Sequence, residues 1–203
     1  MLRALVLTLV IGLAACGTPA VTSNQAPVSP APAGASTSPY FIEFHARQSD
    51  VGIGHTFLVY GEKDALGNIA VRKVTGFYPA GGYVGMVFTP VAIPGIVGKN
   101  SDDEKMKDLQ VFRYNDMTAA DYQRLVRYVA NAESGLHLFN VFTNNCNDFA
   151  AGAAKTIGLR IPSNTFTYPD HFVAELARLN DPSAPLASAG DSSSSSRPPG
   201  SAR

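Results

Sequence analysis

Only one continuous stretch of this chain, Tyr40 to Asn180, has the composition to build a core. Upstream, positions 18–39 are dominated by Pro, Ala, Ser and Thr without a hydrophobic period, and read as a flexible or partly polyproline spacer. From Asp181 onward, "DPSAPLASAGDSSSSSRPPGSAR" is equally unable to bury apolar surface. The segment between them is long enough for one domain.

Within that segment the pattern is α+β. "YFIEFHA" alternates, with Phe41, Glu43 and His45 on one face and Ile42, Phe44 and Ala46 on the other. "HTFLVYG" and "IAVRKVTGFY" are β-branched and aromatic runs joined by the hairpin connection "EKDALGN", and "GYVGMVF" and "LQVFRY" complete the four or five strands expected before Cys146. "TPVAIPGIVGKNSDDEKM" reads as a long loop, and its "SDDE" as a solvated acidic turn.

Helix signals follow. Thr118 and Asp121 form a capping box ahead of Tyr122, Leu125, Val126 and Val129 at helical spacing, and Gly135 is placed to end that helix. After a strand over "LHLFNVF", small residues at intervals of three and four from Cys146 to Ile157 predict a helix lying close against the sheet. A last helix starts near Pro169, a residue favoured at the first helical position. An antiparallel sheet with helices packed on it is the expected architecture.

The leader "MLRALVLTLVIGLAA" (positions 1–15) carries one basic residue and an apolar run too short for a stable membrane span, a signal-peptide pattern. "LAAC" followed by Gly17 resembles a bacterial lipobox. That resemblance implies cleavage before Cys16, acylation of Cys16, and passage of the lipid-anchored protein to the outer membrane with its domain in the periplasm. Losing Arg3 with the leader leaves 15 basic against 16 acidic residues, a balance that argues against nucleic acid as the partner.

If Cys16 carries lipid, Cys146 has no intramolecular disulfide partner in an oxidising compartment, and is either buried and inert or kept for its reactivity. The polar setting "TNNCND" argues against the inert alternative. Asn145 is a good N-cap and Asp148 can return the capping interaction, which puts Cys146 in the first helical turn. There the helix dipole favours a thiolate, lowering its pKa from roughly 8.5 towards neutrality, and the free amides could hold an oxyanion. Asn144 and Asn145 are the cap and oxyanion candidates.

A cysteine nucleophile needs a base, and the chain has four histidines. His55 follows "GIG" at the head of an apolar strand, where an imidazole belongs only if it faces a cleft, and the glycines permit close approach of another segment. The other three read as surface or structural: His45 on a solvated face with Glu43, His137 opening a short strand, and His171 in the first turn of the last helix.

"HTFLVYG" and "TNNCNDFAAGAAKTIGLRIPS" together resemble the PPPDE superfamily, permuted papain-fold peptidases that include eukaryotic deSUMOylating isopeptidases. The matching positions are His55, Thr56, Val59, Tyr60 and Gly61, then Asn144, Asn145, Cys146, Asn147 and Phe149, then Ile161 and Pro162. His55 precedes Cys146 by 91 residues, the order of circularly permuted relatives; permuted NlpC-type hydrolases and acyltransferases resembling lecithin–retinol acyltransferase share it.

The resemblance implies a permuted papain-like domain in which Cys146 attacks, His55 serves as base and then proton donor, and an acyl-enzyme forms without metal or other cofactor. The sequence departs from the family at Asp148, where the eukaryotic enzymes commonly have His, and in the segment from Thr89 to Met106. No third residue orienting His55 is evident, since Arg72, Lys73 and Thr75 are not usual partners.

The expected activity is hydrolysis of an amide, isopeptide or thioester bond. Location suggests a peptide, cell-wall peptide or envelope protein as substrate, with the membrane reached through the anchor. Two alternatives stay open: an acyltransferase or lipid hydrolase using the same dyad, and a catalytically silent envelope-binding module.

Overall fold

The computed structural model describes residues 38–49 and 52–181. The expected leader, Cys16, nearly all of the spacer and the tail beyond Asp181 lie outside the described residues.

Six strands form one sheet: β1 (Tyr40–Arg47), β2 (His55–Lys63), β3 (Ile69–Pro79), β4 (Ile93–Gly98), β5 (Asp108–Met117) and β6 (His137–Phe139). They lie in the order β5-β1-β2-β3-β4-β6, and every neighbouring pair is antiparallel. Four helices accompany them: α1 (Gly82–Phe88), α2 (Ala119–Ser134), α3 (Cys146–Thr156) and α4 (Pro169–Asn180).

The main core lies between the sheet and α2, α3 and α4. Ile42, Phe44 and Ala46 of β1 and Leu58 and Tyr60 of β2 meet Leu125 and Val129 of α2, the alanines of α3, and Phe172, Val173 and Leu176 of α4. Phe44 and Phe172 are wholly buried, each stabilising the fold by about 1.5–3 kcal/mol relative to exposure. Because Ala150, Ala153 and Ala154 are small, α3 sits directly on β2 and β3.

The opposite face is covered too. Phe41, Phe57 and Val59 form a second buried cluster with Val74 packed beside it. Glu43 and His45 lie on this face at 4% and 5% exposure, so the expected solvated face is a buried one. Alternation separates the two faces of a strand but does not reveal what covers each. Here two sequence-distant groups of β5 close over the face: His45 Nδ1 meets Asp108 at 3.0 Å and the Arg113 guanidinium donates to Glu43, while His45 Nε2 meets its strand neighbour Glu43 at 2.9 Å.

Three further expectations are corrected. "GYVGMVF" forms helix α1, not a strand: Gly81 and Gly82, both at positive φ, turn the chain into it. A short apolar run without period does not separate the two states. The long loop contains β4, "IPGIVG", despite Pro94 and two glycines. Pro94 keeps its carbonyl for the Ala80 amide, and a Cβ at Gly95 would collide with the Phe77 ring, so both residues fit the strand they would ordinarily interrupt. "LHLFNVF" pairs with β4 only over His137–Phe139, because Asn140 Oδ1 accepts from the amides of Phe142 and Thr143 and turns the chain.

Among the described residues, no helix is long and apolar enough to cross a membrane.

Candidate active site

Helix α3 begins where its cap dictates. Asn145 Oδ1 accepts from the amides of Asn147 (2.8 Å) and Asp148 (3.3 Å), while Asp148 Oδ2 accepts from the Asn145 amide (2.8 Å). This reciprocal box leaves Cys146 as the first helical residue.

The box commits Asn145 to capping, since its Nδ2 also donates to the Val141 carbonyl (3.0 Å). Asn144 is exposed, donates to the Leu138 carbonyl (2.6 Å), and does not line the cavity at Cys146. The Asn145 side chain is thus engaged as the helix cap expected of it, and the Asn144 side chain is engaged outside the cavity lining. The backbone amides of Thr56, Asn147 and Cys146 bear on the Cys146 sulfur.

The link between the halves of the site runs through residues beside the two candidates. Thr56 Oγ1, fully buried, donates to Asn147 Oδ1 at 2.6 Å. Asn147 Nδ2 in turn donates to the carbonyls of Thr165 (3.0 Å) and Thr167 (2.9 Å). One buried amide thus ties the head of β2, the start of α3 and the segment leading into α4. The turn before β2 is equally tight: Gly54, at φ 87°, lies where a Cβ would stand 2.6 Å from the Arg47 carbonyl oxygen. This is the close approach expected of that glycine.

His55 and Cys146 both line a cavity of about 690 Å³ at the ends of the strands. His55 lies opposite Arg47 in the β1–β2 ladder and stacks on Tyr78 of β3, ring centroids 4.2 Å apart. Its Nε2 is buried, and with Asp108 Oδ1 it is one of two such side-chain polar atoms among the described residues without a hydrogen-bond partner. Gly76 lies against that nitrogen, where a Cβ would sit 2.8 Å away. In place of a hydrogen-bonding third residue, His55 has a stacked ring and a glycine.

Tyr78 is itself held. Its hydroxyl donates to Asp103 Oδ2, which also accepts from the Asn100 amide (3.2 Å), while Arg47 Nε donates to Asp103 Oδ1 (3.0 Å). Asp103 is 2% exposed, so "SDDE" is not simply a solvated turn; its third residue anchors the long connection to the site. Arg47, Tyr78 and Asp103 went unrecognised in the sequence because they act only together, across three segments. Burial pushes the Tyr78 hydroxyl up, with Asp103 adding to it, so that it stays protonated and donates.

The electrostatics revise the expected thiolate. Burial pushes the Cys146 thiol up, and the amides of Thr56, Asn147 and Cys146 recover only part of that shift. The helix terminus acts in the expected direction, but desolvation outweighs it. Burial, with the Arg47 charge adding to it, drives the His55 imidazole well below its ordinary value of 6.5. At neutral pH the resting site therefore contains a thiol and a neutral imidazole.

His137 and His171 stand apart from the cavity lining, the first opening β6 and the second on an exposed face of α4. No group of three or more His, Cys, Asp or Glu among the described residues is placed to hold a metal ion. The chain matches no family model, no curated protein and no solved structure.

Proposed function

We propose that the domain is a permuted papain-like cysteine hydrolase that cleaves an amide, isopeptide or thioester bond, with Cys146 as nucleophile and His55 as general base. One observation carries this reading. Two segments 91 residues apart are joined by the buried Thr56–Asn147 hydrogen bond, and the residues preceding that pair, His55 and Cys146, open into one cavity.

The neutral resting pair defines the order of events. A substrate carbonyl enters, the thiol proton passes to His55 as the sulfur–carbon bond forms, and the backbone amides around the sulfur stabilise the developing oxyanion. His55 then protonates the leaving group, and water attacks the acyl-enzyme with His55 as base again. A neutral imidazole accepts this proton without first having to lose one. On this reading the protein is an outer-membrane lipoprotein acylated at Cys16, acting on a peptide, cell-wall peptide, envelope protein or other acyl donor.

The test is acyl-enzyme trapping. The full chain, treated with an activated ester and quenched in acid, gains an acyl group on Cys146, mapped by mass spectrometry so that Cys16 is distinguished. His55→Ala slows that acylation by about 10²- to 10⁴-fold. Label on other residues only, or equal rates with and without His55, would overturn the proposal.

A further inference from the structure

Three segments frame the cavity mouth on the Cys146 side: 79–98, 138–147 and 161–169. None contains an Asp, Glu, Lys or Arg, in a chain where such residues make up 16%. Large apolar side chains stand exposed on all three, among them Val87 and Phe88 of α1, Phe142, Phe166 and Tyr168. Phe142 and Phe166 meet with ring centroids 5.1 Å apart, bridging two of the segments. Val87, Phe166 and Tyr168 also line the cavity, together with Met86, Phe139 and Val141, so the apolar surface runs from the rim towards the nucleophile.

From this arrangement we infer that the substrate is a long-chain acyl ester or thioester, its chain held by the rim and cavity and its carbonyl at Cys146. The inference rests on the cysteine-hydrolase reading and gives that site a long-chain acyl donor, keeping the thioester among the bonds named above and adding the oxygen ester.

A bound peptide strand requires partners for its own amides and carbonyls. The rim's backbone has few to offer. The amides of Asn140, Val141, Phe142 and Thr143 donate to Asn144, Thr89 and the Asn140 side chain. Across the mouth, the carbonyls of Thr165 and Thr167 accept from Asn147, and both backbone groups of Phe166 pair with Asn164. What faces the cavity is largely side-chain hydrocarbon, which suits a ligand that needs no hydrogen bonds along its length. The volume of about 690 Å³ is that of a small-ligand site. Asn100 and Asp102 give the lining polar groups for the leaving group.

The chemistry balances as hydrolysis. The thiol proton goes to His55 as sulfur bonds the acyl carbon, the carbon–oxygen or carbon–sulfur bond to the leaving group breaks, and that group departs with the proton from His55. Water then cleaves the acyl–sulfur bond, yielding a carboxylic acid and restoring the thiol.

The experiment measures kcat/KM of the full chain, with Cys146→Ala as the blank, on p-nitrophenyl esters and N-acetylcysteamine thioesters from acetyl to dodecanoyl. Each buried methylene is worth about fourfold in binding, so kcat/KM climbs by up to about that factor per added methylene until the cavity fills. The ratio of the two series tells ester from thioester donors. Val87→Asp and Phe166→Asp, both at exposed positions, lower the dodecanoyl-to-acetyl ratio at least tenfold while unfolding cooperatively like the native protein. Cys146-dependent turnover that is flat or falls with chain length would overturn the acyl inference and leave the hydrolase standing. Absence of Cys146-dependent turnover on every substrate would remove both.

Discussion

His45 and His55 sit on neighbouring strands, both buried, in opposite circumstances. His45 is bonded on both ring nitrogens, to Asp108 and Glu43, and stacks on Phe57. His55 stacks on Tyr78 but leaves Nε2 without a partner. Burial pushes both imidazoles towards the neutral form. At His45 the hydrogen bonds and charges of Asp108 and Glu43 outweigh it and raise the pKa; at His55 only Arg47 adds a charge effect, in the same direction as burial. A satisfied buried histidine holds structure together, whereas an unsatisfied one persists because the surrounding fold tolerates its cost, and such exceptions concentrate where chemistry is done.

The sharpest way to break this contrast is to remove each ring in turn. His55→Ala should lose the acylation rate as described, with a smaller change in stability. His45→Ala should do the reverse: stripping the ring partner from Asp108 and leaving Glu43 to Arg113 costs about 3–5 kcal/mol, read as a lower denaturant midpoint, while acylation per folded molecule is unchanged. If His45→Ala instead abolishes acylation in a folded protein, the division of labour is wrong.

Next in size comes Tyr78→Phe, which keeps the stacked ring but deprives Asp103 of its hydroxyl partner. It should cost about 1–3 kcal/mol of stability. If the hydroxyl also fixes the ring against His55, kcat falls more than KM rises and the pH profile of acylation shifts. A variant that merely loosens the fold would leave that profile in place.

The two histidines also predict pH effects of opposite sign. His45 has a folded pKa above 6.5, so its contribution is fully present below 6.5 and is lost as pH rises through the folded value. His55 has a folded pKa below 6.5, so its contribution is fully present above 6.5 and is lost as pH falls towards the folded value. Unfolding free energies across this range should flatten on the alkaline side in His45→Ala and on the acid side in His55→Ala. Curves that change on the same side in both variants would contradict the assigned charge states.

The smallest effect is expected at Asn144. Asn144 is exposed and its side chain donates to the nearby Leu138 carbonyl, so its replacement by Ala should change stability by about 0.5 kcal/mol and leave acylation intact. A large loss of acylation would return it to the oxyanion role first read from the sequence.

Much of the frame was legible in local sequence. Both capping boxes and the start of α4 at Pro169 rest on interactions within a few residues, and β1, β2 and β3 pair with their neighbours in sequence, so that short motifs and alternation record them faithfully. The misread elements were those whose stability comes from elsewhere. Strand β4 exists because β3 and β6 flank it, and α1 is a seven-residue helix that its own sequence does not distinguish from a strand. The site divides the same way. His55 and Cys146 were marked by their local settings, but the Thr56–Asn147 tie and the Arg47–Asp103–Tyr78 support span separations that no local pattern encodes.

By itself, the sequence determined where a core can form, the α+β pattern, the helix that begins at Cys146 and the histidine most suited to face a cleft, because capping, alternation and turn chemistry act over a few residues. Only the tertiary structure decided that Glu43, His45 and Asp103 are buried, that Asn144 lies outside the cavity lining, and that Cys146 rests as a thiol. Those outcomes depend on which distant groups exclude water from each atom, and desolvation is a property of the assembled fold.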